Sequence, residues 1–311
     1  MEKFRVVEAV GEGGYGRVYR GEHVESGEVV AIKEFKYDNS GGMVPCYLRE
    51  VANLVRAAKV NKFGHIMEPY GFIFDEPKKQ IFMILEYAPS DLHTFIFKAK
   101  SGGQLPTVQI RDILFQVVLA LDTLHGANIV HRDVKPANIL MQQSGKILLA
   151  DLGMARSALY RMGRKSTNVQ TTWYKAPELL CNCPRYLCAV DMWSVGCVLF
   201  EMLSVKSQPA LFGEDDEDQF DRVFELLSPD DKQQDRYFPS FTSTQLCYFS
   251  KALQKEMRVI DDLDMLDLLL RFLTVDPDQR ITAREALFHP FFKDILSGHY
   301  TLGSQTQSAH S

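Results

Sequence analysis

No stretch of the 311-residue sequence is both long and apolar enough to cross a bilayer. The greasiest run, Met192 to Leu203, falls short of the roughly 20 residues that a membrane helix needs. The opening MEKFRVVEAV lacks the apolar centre of a secretory signal, so a cytoplasmic or nuclear protein without membrane association is expected. An excess of basic charge is also missing: the formal net charge is −5, which supplies no global positive field, and no direct nucleic-acid binding is expected. Cysteine is scarce, with six in the chain, too few for a disulfide framework at this size. Cys181, Cys183 and Cys188 lie close together, but they lack zinc-ribbon spacing and have no histidine nearby, so thiols are expected there rather than a metal. Internal repeats and long linkers are absent. What is present, 46% hydrophobic and 24% charged residues, describes a globular protein with a sizeable core.

The texture of the chain changes once. Before about Leu85 it reads as strands, FRVVEAV, GRVYRGEHV, EVVAIKEF and QIFMILEY, separated by turns containing Gly, Asp and Ser. One helix interrupts them within PCYLREVANLVRAAK. There Leu48, Val51, Val55 and Ala58 recur near helical period, and Tyr47, Glu50 and Leu54 form a second face. Pro45 suits the first turn of that helix, and Glu50 is expected to point inward. After APSDLH the pattern is helical: TVQIRDILFQVVLALDTLH, VDMWSVGCVLFEML, DQFDRVFELL, MLDLLLRFL and TAREALFHPFF. An α+β protein follows, with a smaller β-rich part ahead of a larger helical one. The final SGHYTLGSQTQSAHS has the composition of a loose tail. The acidic run from Gly213 to Asp221 reads as a solvated loop leading into a helix, whose N-terminus favours carboxylates.

Three constellations carry chemistry. VHRDVKPANIL sets His131, Arg132, Asp133, Lys135 and Asn138 between two strand-like flanks, GANIV and ILMQQSGKILLAD. A rigid loop with that much polarity needs internal pairing or a ligand of opposite charge. VGEGGYGRVY places Gly11, Gly13 and Gly16 where backbone N–H groups can approach phosphate oxygens. A dinucleotide-binding fold uses a similar string to open a helix, whereas Arg17, Val18 and Tyr19 here continue into a strand. Lys33, in VVAIKEF, would ordinarily be a solvated edge charge, but Glu50 on the inward helix face offers it a carboxylate partner.

Taken in order, these pieces resemble a eukaryotic protein kinase from Phe4 to about Phe292. The series runs GEGGYGRV, VAIK with Lys33, Glu50, LEYA at 85–88, HRDVKPAN, DLG at 151–153, APE at 176–178, DMWSVGC at 191–197 and Arg280. The resemblance implies a bilobal fold, with an N-lobe over 1–85, a hinge over 86–91, a C-lobe over 92–295 and a flexible tail over 296–311. It also implies ATP and Mg²⁺ as cofactors and proteins as substrates. By resemblance, Asp133 orients the acceptor hydroxyl and takes its proton, and Lys135 offsets charge on the γ-phosphate. Asn138 and Asp151 hold Mg²⁺, and Lys33, braced by Glu50, grips the α- and β-phosphates beneath a loop of Gly11, Glu12, Gly13, Gly14, Tyr15 and Gly16. Adenine rests against the backbone of Glu86 and Ala88 with Leu85 behind it, Val18, Ala31 and Leu140 sandwich the base, and Asp91 meets the ribose. Lys135, two residues after Asp133, and Thr171 are similar to serine/threonine rather than tyrosine kinases. His131 is expected to brace the loop, Glu178 and Arg280 to form a buried ion pair, and Asp191 to anchor the loop.

TTWYKAPELL, FGEDDEDQF and RITAREALFHPFF resemble the cyclin-dependent branch, and HRDVKPANIL and LLADLGMAR are similar to its transcription-associated members. There, Arg49, Arg132 and Arg156 would converge on a phosphorylated residue of the activation segment, at Ser166 with Thr167 beside it. Tyr15 matches an inhibitory phosphorylation site, though Gly14 replaces the neighbouring threonine, and a tyrosine at a loop tip is equally a lid. VPCYLRE shares with the cyclin-gripping motif little beyond its Arg-Glu, which leaves a cyclin-type activator on the helix around Glu50 an expectation of the branch alone. Lys175 stands where that branch has an arginine that shapes a pocket for proline after the acceptor residue. A catalytically weak pseudokinase is the alternative; the joint presence of Lys33, Asp133, Asn138 and Asp151 speaks against it.

Overall fold

The computed structural model describes residues 3–13, 16–35, 45–75, 80–158, 172–181, 187–204, 213–227 and 262–298. The chain packs as two compact units, Met1–Thr94 with Thr123–Ser157, and Phe95–Asp122 with Ala158–Ser311.

The first unit is built on a five-stranded antiparallel sheet in the order β1-β2-β3-β5-β4. Its strands are β1 (Phe4–Gly13), β2 (Gly16–His23), β3 (Val29–Phe35), β4 (Pro69–Asp75) and β5 (Gln80–Glu86). Alternation sets the two faces. Val30, Ile32, Phe82 and Ile84 form a core on one side with Phe4, Tyr19 and Ile73 against it. Ala31, Phe35, Met83 and Leu85 are buried on the other. The helix α1 (Pro45–Ala58) contributes Tyr47, whose ring lies 4.7 Å from that of Phe35. β4 lies at the edge of the sheet, where its Tyr70, Phe72 and Phe74 alternate outward and are exposed while Ile73 packs against the core.

The glycine string joins two strands, as the sequence implies, and pairs Gly13 with Gly16 across β1 and β2. Gly16 adopts φ 140°, and a Cβ there would run into the Glu34 carbonyl oxygen, so no other residue fits. Past β5, the segment from Glu86 enters a three-stranded sheet of β6 (Ser90–Asp91), β8 (Ile139–Met141) and β9 (Ile147–Leu149). A two-residue strand, β7 (Ile129–Val130), pairs with β10 (Arg156–Ser157).

Two helices, α2 (Leu92–Gly102) and α3 (Thr107–Gly126), carry the chain between the units. In the second unit, α4 (Pro177–Leu180) precedes α5 (Ala189–Leu203), which is buried almost throughout. Among the described residues α6 (Asp216–Leu227), α7 (Leu263–Phe272) and α8 (Ala283–Leu287) follow. α5 approaches the end of α7 closely: a Cβ on Gly196 would lie 2.7 Å from Leu273 Cδ2 and 2.9 Å from Phe272 Cβ. Arg280 grips Glu178 through two bonds of 2.7 and 3.0 Å and also donates to the carbonyls of Ala189, Thr274 and Val275. The acidic run serves as the N-terminal cap of α6, where Asp215 Oδ1 accepts from the N–H groups of Glu217 and Asp218. None of the described helices is long and apolar enough to cross a membrane.

Candidate active site

Two polar clusters meet within the first unit. The first lies in the loop between β7 and β8. Arg132 takes a left-handed backbone, φ 69°, and the buried His131 ring braces the bend. His131 Nδ1 accepts from the Asp133 N–H at 3.2 Å, so Nε2 carries the proton that it donates to the Ala150 carbonyl at 2.9 Å. Asp133 is thereby aimed, and its carboxylate collects donors: Lys135 Nζ at 3.1 and 2.9 Å, and Asn138 Nδ2 at 2.9 Å. Asn138 Nδ2 also donates to the Asp133 carbonyl at 2.7 Å.

The second cluster joins β3, α1 and the turn after β9. Lys33 Nζ sits 2.5 Å from Glu50 Oε1, with 12% and 4% of the two side chains exposed. Burial opposes the lysine charge, but the carboxylates of Glu50 and Asp151 outweigh it and hold the Lys33 pKa above its ordinary range. For Glu50, burial pushes the carboxyl up, with Lys33 pulling against it. Asp151 has a left-handed backbone, φ 63°, and its Oδ1 accepts from the Gly153 N–H at 3.3 Å. The clusters are wired together through Ala150, whose N–H donates to the Asn138 carbonyl at 2.9 Å and whose carbonyl receives His131.

The sandwich residues Val18, Ala31 and Leu140 lie on β2, β3 and β8, and Ala31 pairs with Leu85 across β3 and β5. Ala31 and Leu85 are buried and Ala88 is half-buried. The segment of Glu86 is fastened at both ends: its side chain accepts from Gln142 Nε2 at 2.5 Å and lies 3.5 Å from Lys146 Nζ, while Ser90 and Asp91 pair with Met141 and Leu140. Asp91 spends both carboxylate oxygens on Thr94, at 2.8 and 3.2 Å, capping α2. Arg49 is half-buried on α1. Arg132 and Arg156 each direct one donor to the turn after Asp151, to the carbonyls of Met154 and Ala155. Gly14, Tyr15, Ser166, Thr167 and Thr171 lie outside the described residues, as does the side chain of Glu12. In the second unit Lys175 is engaged by Asp216 at 2.6 Å.

Sequence reasoning passes over Asn53, Gln142 and Lys146. For Asn53 a signal exists, since it is a polar residue on the helix face of Glu50, Leu54 and Ala57. Gln142 and Lys146, in a polar hairpin turn, give none.

The residues present suit a hard cation. Asn138 turns its amide nitrogen to Asp133, which leaves its oxygen, the harder donor, uncommitted by those bonds. The Asp151 carboxylate supplies a second oxygen set.

Residues 4–292 match the family described as Protein kinase domain. The chain is 33% identical over 303 residues to cyclin-dependent kinase B2-2 of Arabidopsis thaliana, covering 95% of this chain and 94% of that protein. With the loop of Asp133 and the Lys33–Glu50 pair in place, the chain belongs to the protein kinase family, as a serine/threonine kinase of the cyclin-dependent-like branch.

Proposed function

We propose that the chain moves the γ-phosphoryl group of ATP, with Mg²⁺, to serine or threonine hydroxyls of protein substrates. The observation that carries this is the convergence of Lys135 and Asn138 on the Asp133 carboxylate within a loop that is hydrogen-bonded to the residue preceding Asp151. Such transfer needs little covalent help from protein; it needs anionic oxygens neutralised and one hydroxyl aimed in line. Asp133, fixed on two sides, accepts the hydroxyl proton as the new P–O bond forms and ADP leaves. Lys135 offsets charge on the transferred group, and Lys33, kept cationic and immobile by Glu50, holds the α- and β-phosphates. Bound through the oxygens of Asn138 and Asp151, Mg²⁺ would supply charge neutralisation across the phosphates. Adenine takes the backbone groups of Glu86 and Ala88, between Val18 and Ala31 above and Leu140 below.

Asp133→Asn keeps the shape and removes the proton acceptor. It should lower kcat by about 10²- to 10⁴-fold, while ATP affinity stays within about threefold. Phosphate transfer to a serine/threonine peptide mixture, alongside nucleotide titration, checks this; undiminished turnover would mean that the loop has another role.

Control is read from the same family. Arg49, Arg132 and Arg156 form a receptor for phosphate on Ser166 or Thr167, and the bonds of Arg132 and Arg156 to the turn after Asp151 would pass its charge on to the metal-binding residue. A Ser166→Ala, Thr167→Ala double variant, compared with protein phosphorylated at these positions, should show about tenfold lower kcat/KM; equal values would remove the phosphosite. A cyclin-type activator would seat on α1, where Leu48 is 58% and Val55 41% exposed. Lys175, which Asp216 engages, stands in place of the branch's arginine, so the pocket for proline after the acceptor lacks that guanidinium.

A further inference from the structure

The buried face of α1 carries a second polar side chain. Asn53 stands one turn past Glu50, is 5% exposed, and points its amide nitrogen at the carbonyls of Leu152 and Ala155, 3.1 Å from each. Those carbonyls mark the two ends of the turn that follows Asp151. The reaction proposed above has no use for this amide.

An apolar residue is the ordinary occupant of such a position, which neighbours the buried Leu54 and Ala57. An amide there gives up water and recovers it only through well-placed partners. Its partners, however, are already served: the Leu152 carbonyl accepts from the Ala155 N–H at 3.1 Å, and the Ala155 carbonyl accepts from Arg156 Nη1 at 3.1 Å. Removing the amide therefore orphans no backbone group, and stability does not account for it. Geometry does. A left-handed Asp151 is an unfavourable conformation that persists only where its surroundings over-determine it. Through Glu50 and Asn53, three residues apart and hence neighbours on one helix face, α1 holds Lys33 and the Asp151 turn at once.

We propose that Asn53 is a positioning residue that locks the Asp151 turn to α1, so that the chain sets Lys33, Glu50 and Asp151 relative to one another by its own contacts. Its consequence for turnover rests on the phosphoryl-transfer reading; its consequence for the turn does not.

The test uses the full chain with Asn53→Leu, branched at the same atom but bulkier and unable to donate, and Asn53→Asp, of the same shape but presenting acceptors to the carbonyls. Asn53→Leu should melt close to the parent, while the amides of Gly153 and Ala155 exchange with deuterium about tenfold faster or more. Its kcat should fall about tenfold with KM for ATP changed by less than about threefold, the mark of a misplaced group rather than lost binding. Asn53→Asp should show the same local acceleration. Parent-like exchange in either variant would overturn the proposal, as would parent-like kcat in an active Asn53→Leu protein. Should Asn53→Leu melt early, the amides of Leu54 and Ala57 decide: acceleration confined to 152–157 supports the lock, and uniform acceleration overturns it. A parent chain that transfers no phosphate would sink the functional reading, with deuterium exchange still deciding on Asn53.

Discussion

Two ion pairs among the described residues, Lys33–Glu50 and Glu178–Arg280, are withdrawn from water, and they are held by different means. Lys33 and Glu50 share a single bond and lie beside a third charge, Asp151, an arrangement suited to receiving anions. Glu178 and Arg280 have no exposed side-chain surface, and every contact closes on the protein: a two-pronged bond, three backbone carbonyls, and the Trp193 ring 5.2 Å from the guanidinium. Attraction within a buried pair does little more than repay desolvation, but removing one partner strands the other. Glu178→Gln should therefore cost about 3 to 5 kcal/mol, read as a lowered denaturation midpoint, with the loss traceable to the second unit. A cost below about 1 kcal/mol would mean that the three carbonyls alone suffice for Arg280.

At the level of elements, the loop between α1 and β4 is tied to β9 by more than packing. Ile66 bridges to Leu149, the Leu149 N–H donates to the His65 carbonyl at 2.9 Å, and the His65 ring lies 3.2 Å from the Ile147 carbonyl. Burial, reinforced by the Lys146 charge, sets the His65 pKa below the ordinary value of 6.5, although the bond to Ile147 pulls it up. The unfolded chain thus takes the proton more readily than the folded one. The stability this contributes is present above 6.5 and is lost as pH falls through the depressed folded value. His65→Gln should flatten the fall in melting temperature between neutral and mildly acidic pH; an unchanged slope would assign that fall to other groups. The same region shows what pattern can miss. In α1 the periodic set of Leu48, Val51, Val55 and Ala58 does not mark the core, since Leu48 and Val55 are exposed while Tyr47, Glu50, Asn53, Leu54 and Ala57 are buried. The buried side is the second face, that of Tyr47, Glu50 and Leu54, with Glu50 inward as expected; such a face can carry Glu50 and Asn53 because their partners come from β3 and the Asp151 turn.

For the molecule as a whole, the order of short motifs was more informative than any element. Asp133, Lys135 and Asn138 are separated by so few residues that their mutual geometry follows from one tight loop, and the sequence exposes such local constellations plainly. Lys33 and Glu50, 17 residues apart, can be joined only through the inward face of the helix that carries Glu50; Asn53 and Leu152, 99 apart, needed coordinates. Distance along the chain, then, sets what is readable, since the sequence states which groups are polar but not which of them will meet. Among the described residues β4, last in the sheet, pairs with β5 alone and carries three outward aromatic rings, an arrangement that invites a neighbouring molecule to add its own strand. Concentrated stocks will be prone to sticking edge to edge, and a lysine introduced among those rings is the natural means of keeping them dispersed.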